Sequence, residues 1–407
     1  MIKIEEPNSH IKSKDSFYNL PIFDLLFRSS FILASIGSVI SLAMWFNYLI
    51  YGNRIGQQGL SPALWHAHEM LFTFAATVAV GFLLTAVQTW TGKPSVKGKS
   101  AVFLIFLWLI AHSLFWLNDT NFLYIALAVK TIWWLYVIYR FATLVLSVKN
   151  TRNYLFVPIL SVMALLNISV VTAELNDSTS LALHLCRSMV LFFTLVMTLV
   201  GGRVIPFFTA NGAKTKVNAP NKVIELGAII LTILSIVIFM FSGSTESSVL
   251  WQVYLLTGIF HLARFSHWKF FKTFAVPLLW SLHLAYLFMC IGFIALGLHY
   301  SGYFGSLTLS LTLHVFTLGG IGLMILTMMA RVSLGHTGCF LKVKPSIIIA
   351  FMLLVLAVIA RTVLPLFSFV QLGLTASALL WIIAFSLFLF VYTRILIKPR
   401  QQTYRPS

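Results

Sequence analysis

The amino-acid sequence predicts an all-α, polytopic membrane protein of about twelve transmembrane helices. Three observations carry that expectation. Of the 407 residues, 59% are hydrophobic and only 9% are charged, against roughly 25% charged in an ordinary soluble domain. Apolar runs of about 20 residues recur from Phe27 to Ile397, each long enough at 1.5 Å per residue to cross a hydrocarbon core of roughly 30 Å. The runs are continuous and do not alternate with polar residues, so helices, not the strands of a barrel, satisfy the backbone in lipid.

The spans begin near residues 27, 62, 98, 121, 153, 179, 220, 248, 275, 303, 345 and 370. The expected organisation is a tail over residues 1–26, one transmembrane domain over 27–397 and a tail over 398–407. Residues 1–20 are polar and lack an apolar core followed by a small-residue cleavage site, so the N-terminal tail is expected to be retained. The longest connection, Arg203 to Asn221, contains PFFTANGAKTKVNAP and reads as a loop with helix breakers. No connection is long enough for a soluble domain, which puts function inside the bundle or at its rims.

The net charge of +18 is an orientation signal. Lys93, Lys97 and Lys99, then Lys149 and Arg152, Lys214, Lys216 and Lys222, Lys269 and Lys272, and Lys342 and Lys344 occupy every second connection. The tails add Lys3, Lys12, Lys14, Lys398, Arg400 and Arg405, while the alternate connections hold Arg54 and groups such as Glu174, Asp177 and Glu246. By the positive-inside rule both termini are cytoplasmic. Cations spread among loops in this way argue against a nucleic-acid partner. Cys186, Cys290 and Cys339 show no CxxC spacing, so neither a disulfide framework nor a thiolate zinc site is indicated.

Ionisable side chains are costly in a bilayer, which makes them the informative positions. The second span opens at Pro62 and carries PALWHAHEMLF. Successive helical residues turn by roughly 100°, so His66 and His68 point about 200° apart and are expected to face two different neighbours. Glu69, three residues after His66, is expected to share its face and to orient its ring. The alternative is an interfacial HxHE with its ring edges in water. Further along, Lys130 in the fourth span is expected to meet a carbonyl or a cavity in the bundle. Arg187, one turn beyond His184 in the sixth span, and Arg361 in the eleventh are candidates to neutralise haem propionates, with snorkelling or a structural ion pair as the alternative for each. HLAR at His261 to Arg264 and HLAY at His283 to Tyr286 place His with Arg, and His with a phenol, at i, i+3 on adjacent spans. For each, a packed and hydrogen-bonded histidine is the alternative. Of the eleven histidines only His10 lies in a tail, and His314 is expected at mid-depth.

Three spans share a plan: His66-x-His68 to Thr91-Gly92, His184 to Thr209 and Gly212, and His314 to Thr337-Gly338. The last two carry Arg-Val near their ends, at Arg203 and Arg331. These are the second, sixth and tenth spans, a recurrence every four helices that reads as three diverged four-helix pseudo-repeats about a common axis. Histidines converging on that axis in an apolar shell suit haem iron or copper.

HAHEMLF with GFLLTAVQTWTG, GGRVIPFFT, HLAR, HLAY and LGGIGLMILTMMARVSLGHTG together resemble the NnrS family. The resemblance runs from the second span to the loop after the tenth. It implies a bacterial inner-membrane protein containing haem and copper, associated with denitrification and the nitric-oxide response, that protects against nitrosative stress. Carried over by motif, its functional positions are His66, His68, Glu69, Arg203, His261, Arg264, His283, His314, Arg331 and His336. Cys339 departs from the family, which tends to have a basic residue after HTG. The twelve-span plan also resembles the catalytic subunit of haem-copper oxidases and nitric-oxide reductases. The sixth span lacks an HxxxYH triad and no His-His pair follows the seventh, so oxygen reduction and proton pumping are not expected.

Taken together, the expectation is a haem- and copper-binding protein that binds or turns over nitric oxide or a derived nitrosyl species in the lipid bilayer, with an electron donor the sequence does not identify. His66, His68, His184, His314, Arg187, Arg203 and Arg331 are the expected cofactor residues. His66, His68, His261, His283, His314 and His336 are the expected metal ligands, supported by Glu69, Arg264 and Tyr286. The catalytic residues are not assigned. A transporter of a metal or metal–nitrosyl complex, or a non-catalytic sensor, is the alternative.

Overall fold

Twelve long helices make up the computed structural model, which describes residues 17–52, 60–117, 119–242 and 250–401. His10, Arg54, Glu246 and the tail cations Lys3, Lys12, Lys14 and Arg405 lie outside the described residues. The helices are α1 (Leu26–Tyr51), α2 (Pro62–Thr91), α3 (Lys99–Leu117), α4 (Thr120–Ser147), α5 (Phe156–Leu175), α6 (Thr179–Gly212), α7 (Lys222–Phe241), α8 (Trp251–Ser266), α9 (Pro277–Tyr300), α10 (Leu309–His336), α11 (Pro345–Thr362) and α12 (Val370–Leu396). Eleven are long and apolar enough to cross a membrane. The remaining one, α8, has 16 described residues, about 24 Å at the α-helical rise. No strand occurs among the described residues, and the chain is an all-α polytopic membrane protein.

Local chemistry sets the helix ends. Proline opens α2, α9 and α11, where its missing N–H costs nothing. Asp119 caps α4 by accepting from the Asn121 N–H at 2.8 Å, and Asn221 caps α7 through Val223 at 2.9 Å. Gly52 and Gly92 end α1 and α2 in the left-handed conformation.

Two boundaries correct the sequence reading. The segment read as a loop from Arg203 is helical as far as Gly212, with Pro206 inside α6. Proline inside a helix forfeits one backbone hydrogen bond, a cost that membrane helices tolerate where neighbouring helices re-satisfy the freed group. α10 begins at Leu309 and not near residue 303, after a turn containing Gly302 and Gly305. His314 is therefore the sixth residue of its helix, close to the helix end and matching His66, the fifth residue of α2.

Most sequential helices pack on one another, α2 also packs on α4, and α12 returns to pack along α1. The most apolar stretch of α2 is 78% buried within the bundle, against 28% for α7, which fits a central α2 and a peripheral α7. α6 packs on both α2 and α10, so these three helices, recurring every four, form the middle of the molecule. Both α2 and α10 widen into a π-helical stretch directly after their histidines, over Glu69–Ala75 and Val315–Gly322. Such stretches shift the register of side chains and occur often at functional sites.

Candidate functional site

A cavity of about 270 Å3 lies between α2 and α10, walled also by α1, α6, α11 and α12. His66, His314, Arg187 and Arg361 all line it, in a wall that is otherwise mostly apolar. The His66 ring stacks on Trp45 of α1, with centroids 4.5 Å apart and planes 13° from parallel. Its Nδ1 is buried with no hydrogen-bond partner. His314 Nδ1 lies 2.6 Å from the Ser310 carbonyl one turn earlier. A carbonyl only accepts, so this nitrogen carries the proton and Nε2 keeps its lone pair, the state in which a histidine ligates a metal. Arg361 donates to Ser310 Oγ at 2.9 Å and stands within electrostatic range of both imidazoles. Arg187 is exposed, with neither an ion pair nor a hydrogen bond among the described residues. The cavity thus presents two imidazoles and two cations to whatever occupies it.

His68 faces away, as the i, i+2 spacing requires. Trp134 Nε1 donates to Asn167 Oδ1 at 3.1 Å, which leaves the Asn167 amide N–H to donate to His68 Nε2 at 3.1 Å. His68 Nδ1 then donates to Glu69 Oε1 at 3.3 Å. With both ring nitrogens engaged, His68 has no lone pair to offer a metal in this arrangement. The expected pairing of Glu69 with His66 is corrected: three residues at 100° leave Glu69 about 60° round the helix from His66, and its carboxylate reaches His68 at 3.3 Å. The Glu69 carboxylate also accepts from Thr73 at 2.9 Å, Trp116 Nε1 at 3.2 Å and Ser41 at 3.3 Å, with His112 Nδ1 3.9 Å away. Lys130 does meet a carbonyl, that of Phe72 in the π-helical stretch of α2, at 3.4 Å. These groups form a buried polar cluster among α1 to α5, separate from the cavity.

The HLAR and HLAY residues build a third cluster among α6 to α9. Thr232 Oγ1 donates to the Ala228 carbonyl at 2.7 Å and so accepts from His261 Nε2 at 2.8 Å. That makes His261 Nδ1 the acceptor for the Tyr286 hydroxyl at 2.7 Å. Tyr286, expected to share a face with His283, thus pairs with His261 on the neighbouring helix. Arg264 donates to Tyr286 Oη at 3.2 Å and to the Thr198 carbonyl at 2.8 Å, and forks onto the Glu225 carboxylate with Nε at 2.8 Å and Nη2 on the second oxygen. Gly202 makes room for that guanidinium, since a Cβ there would lie 1.9 Å from Nη2. His283 Nδ1 donates to the Leu279 carbonyl at 2.9 Å, and Nε2 lies 3.3 Å from the Trp268 carbonyl.

Of the other expected residues, none lines the cavity. His184 stacks on Phe239 and donates from Nε2 to the Met240 carbonyl at 3.1 Å. Arg203 donates to Asn153 Oδ1 at 3.0 Å, and the Arg331 guanidinium lies 3.6 Å from the centroid of the Phe208 ring. His336 packs near Phe27, with Nδ1 buried and unpartnered. Among the described residues no three of His, Cys, Asp and Glu come together in a way that could hold a metal ion.

Three contributors were not legible beforehand. Trp45 and Asn167 act across helices and carry no local pattern. Glu225 had a signal, as one of only ten acidic residues and one placed in the first turn of an apolar helix.

The profile of the family described as NnrS protein matches residues 21–400, nearly the whole chain. A comparison with individually curated proteins gives no match.

Proposed function

Since this chain belongs to the NnrS family, whose membership fits a membrane protein of the nitric-oxide response, we propose that it is a haem protein that binds or turns over nitric oxide or a derived nitrosyl species, and so protects against nitrosative stress. The reading extends to a bacterial inner membrane with the lysine-rich loops on the cytoplasmic side. One observation carries it: His66 and His314, from two helices, face the same apolar cavity together with Arg187 and Arg361.

The residues fit a haem. His66 and His314 would ligate the iron, each with an imidazole nitrogen that the protein leaves free, and Arg187 and Arg361 would pair with the propionates. When bound, the haem supplies reversible one-electron chemistry and an iron with affinity for diatomics. The Ser310 carbonyl fixes the tautomer of His314, and Trp45 fixes the plane of His66. The mostly apolar wall lowers the local dielectric and strengthens charge interactions inside.

The two ligands are unequally held. His314 is tied to backbone, whereas His66 is held by stacking and its Nδ1 bonds to nothing. Of the two histidines that would hold the group, His66 is the one able to turn without breaking a hydrogen bond. Copper, which the family resemblance also implies, has no fitting set of donors among the described residues, and no step is assigned to it.

Haem content of the purified full chain tests the reading. His66→Ala and His314→Ala should each lower haem per chain at least several-fold, while His184→Ala, which removes a histidine outside the cavity, should leave it within about twofold. Undiminished haem in both cavity variants, or none in the wild type, would refute it.

A further inference from the structure

At the lysine-rich rim, the turn after α10, the start of α11 and the end of α12 enclose a second opening of about 210 Å3. Its floor depends on Gly338. That residue turns the chain with φ +78°, and a Cβ there would come within 2.3 Å of the Gln401 carbonyl oxygen. Gln401 N–H donates to the Thr337 carbonyl at 2.8 Å, so the segment after α12 is stapled against the HTG turn.

The wall of this opening contains Lys344, Arg394 and Lys398, and no carboxylate. All three cations are exposed, and none is in an ion pair among the described residues. Lys344 directly precedes α11, an 18-residue helix whose N-terminal partial charge adds to theirs. Gathering three cations around one space is unfavourable unless an anion offsets them. One side of the opening is apolar: Phe390 lines it, is 70% exposed, and has the Arg394 guanidinium 5.9 Å from its ring.

A cationic pocket beside an exposed aromatic face at the end of a transmembrane bundle matches a lipid with a charged head and an apolar tail. We propose that this opening binds the phosphate of an anionic phospholipid, with Lys344, Arg394 and Lys398 taking the phosphate and Phe390 contacting the acyl chain. Inorganic phosphate shares the anionic chemistry but would leave Phe390 without a partner. The proposal does not depend on the haem reading.

Native mass spectrometry of the full chain, equilibrated with equal amounts of phosphatidylglycerol and phosphatidylcholine, tests it. The wild type should retain phosphatidylglycerol preferentially, and retention should fall roughly fivefold for each cation removed in the series Lys344→Gln, Arg394→Gln and Lys398→Gln. A control with the same charge loss at Lys97, Lys149 and Lys272, in other loops at that rim, should behave as wild type. The charge-conserving variant Lys344→Arg, Arg394→Lys, Lys398→Arg should retain the lipid, which separates lost charge from lost folding. Equal retention by the neutralised and wild-type chains overturns the proposal, as does equal loss in the control. Displacement of the lipid by millimolar inorganic phosphate assigns the pocket to free phosphate and overturns the lipid.

Discussion

His66 and His68 stand two residues apart on α2, yet one borders empty space and the other is locked into a network. His66 faces the cavity, opposite His314, with Nδ1 bonded to nothing. His68 is 1% exposed, with Asn167 on one nitrogen and Glu69 on the other. The difference teaches that an imidazole in a membrane bundle becomes a candidate ligand only when the protein leaves it both a lone pair and room. His261 falls on the His68 side of that line, with a hydrogen-bond partner on each nitrogen; His283 keeps a lone pair on Nε2, since the Trp268 carbonyl it faces only accepts, but it is fully buried and lacks the room.

The contrast can be broken at several points. The largest effect is expected on the network side. Glu69→Ala leaves Lys130, His68 and His112 buried without their carboxylate, and removing one member of a buried charged set costs about 3–5 kcal/mol. The expected outcome is a large drop in melting temperature and in yield of folded chain. Unchanged stability would show that the cluster does not hold α2 against α3 and α4.

Arg264→Lys should be smaller. Lysine cannot reproduce the fork onto Glu225, and the loss of charge-assisted bonds is expected to destabilise the fold by about 1.5–3 kcal/mol in a thermal unfolding assay. Haem content should stay near wild type, because this cluster lies away from the cavity. A haem loss as large as that of His314→Ala would join the two regions and remove the distinction.

The smallest effect belongs to Arg187→Gln. An exposed arginine with no partner among the described residues contributes little to folding, so melting should be unchanged. Opposite a propionate it should instead weaken haem retention by less than about tenfold, at the level of one charge-assisted bond. No change in retention under competition from a haem-binding acceptor would remove Arg187 from the site.

Much of the architecture was legible because burial in lipid writes itself into composition. Eleven of the twelve spans show as unbroken apolar runs, and proline marks the start of α2 and α11. The opposite facing of His66 and His68 follows from 100° per residue alone. What failed did so for local reasons. Pro206 carries a helix-breaking signal, but proline is tolerated inside membrane helices and α6 runs through it to Gly212. The α-helical spacing pairs Glu69 with His66, but the polar groups that can satisfy a buried carboxylate, Ser41, Thr73 and Trp116, stand on the side of His68. His66 and His314, 248 positions apart, are linked in the sequence only by the four-helix recurrence, which includes His184 as well although His184 does not line the cavity, and Trp45 beneath His66 has no signature at all.

The central claim is that His66 and His314 share one haem, and the electron paramagnetic resonance spectrum of the oxidised full chain addresses it most directly. The account predicts a low-spin signal typical of two imidazole ligands, converting to high spin when His66→Ala removes the more loosely held one. A low-spin bis-imidazole spectrum that survives in the double variant His66→Ala, His314→Ala would contradict it.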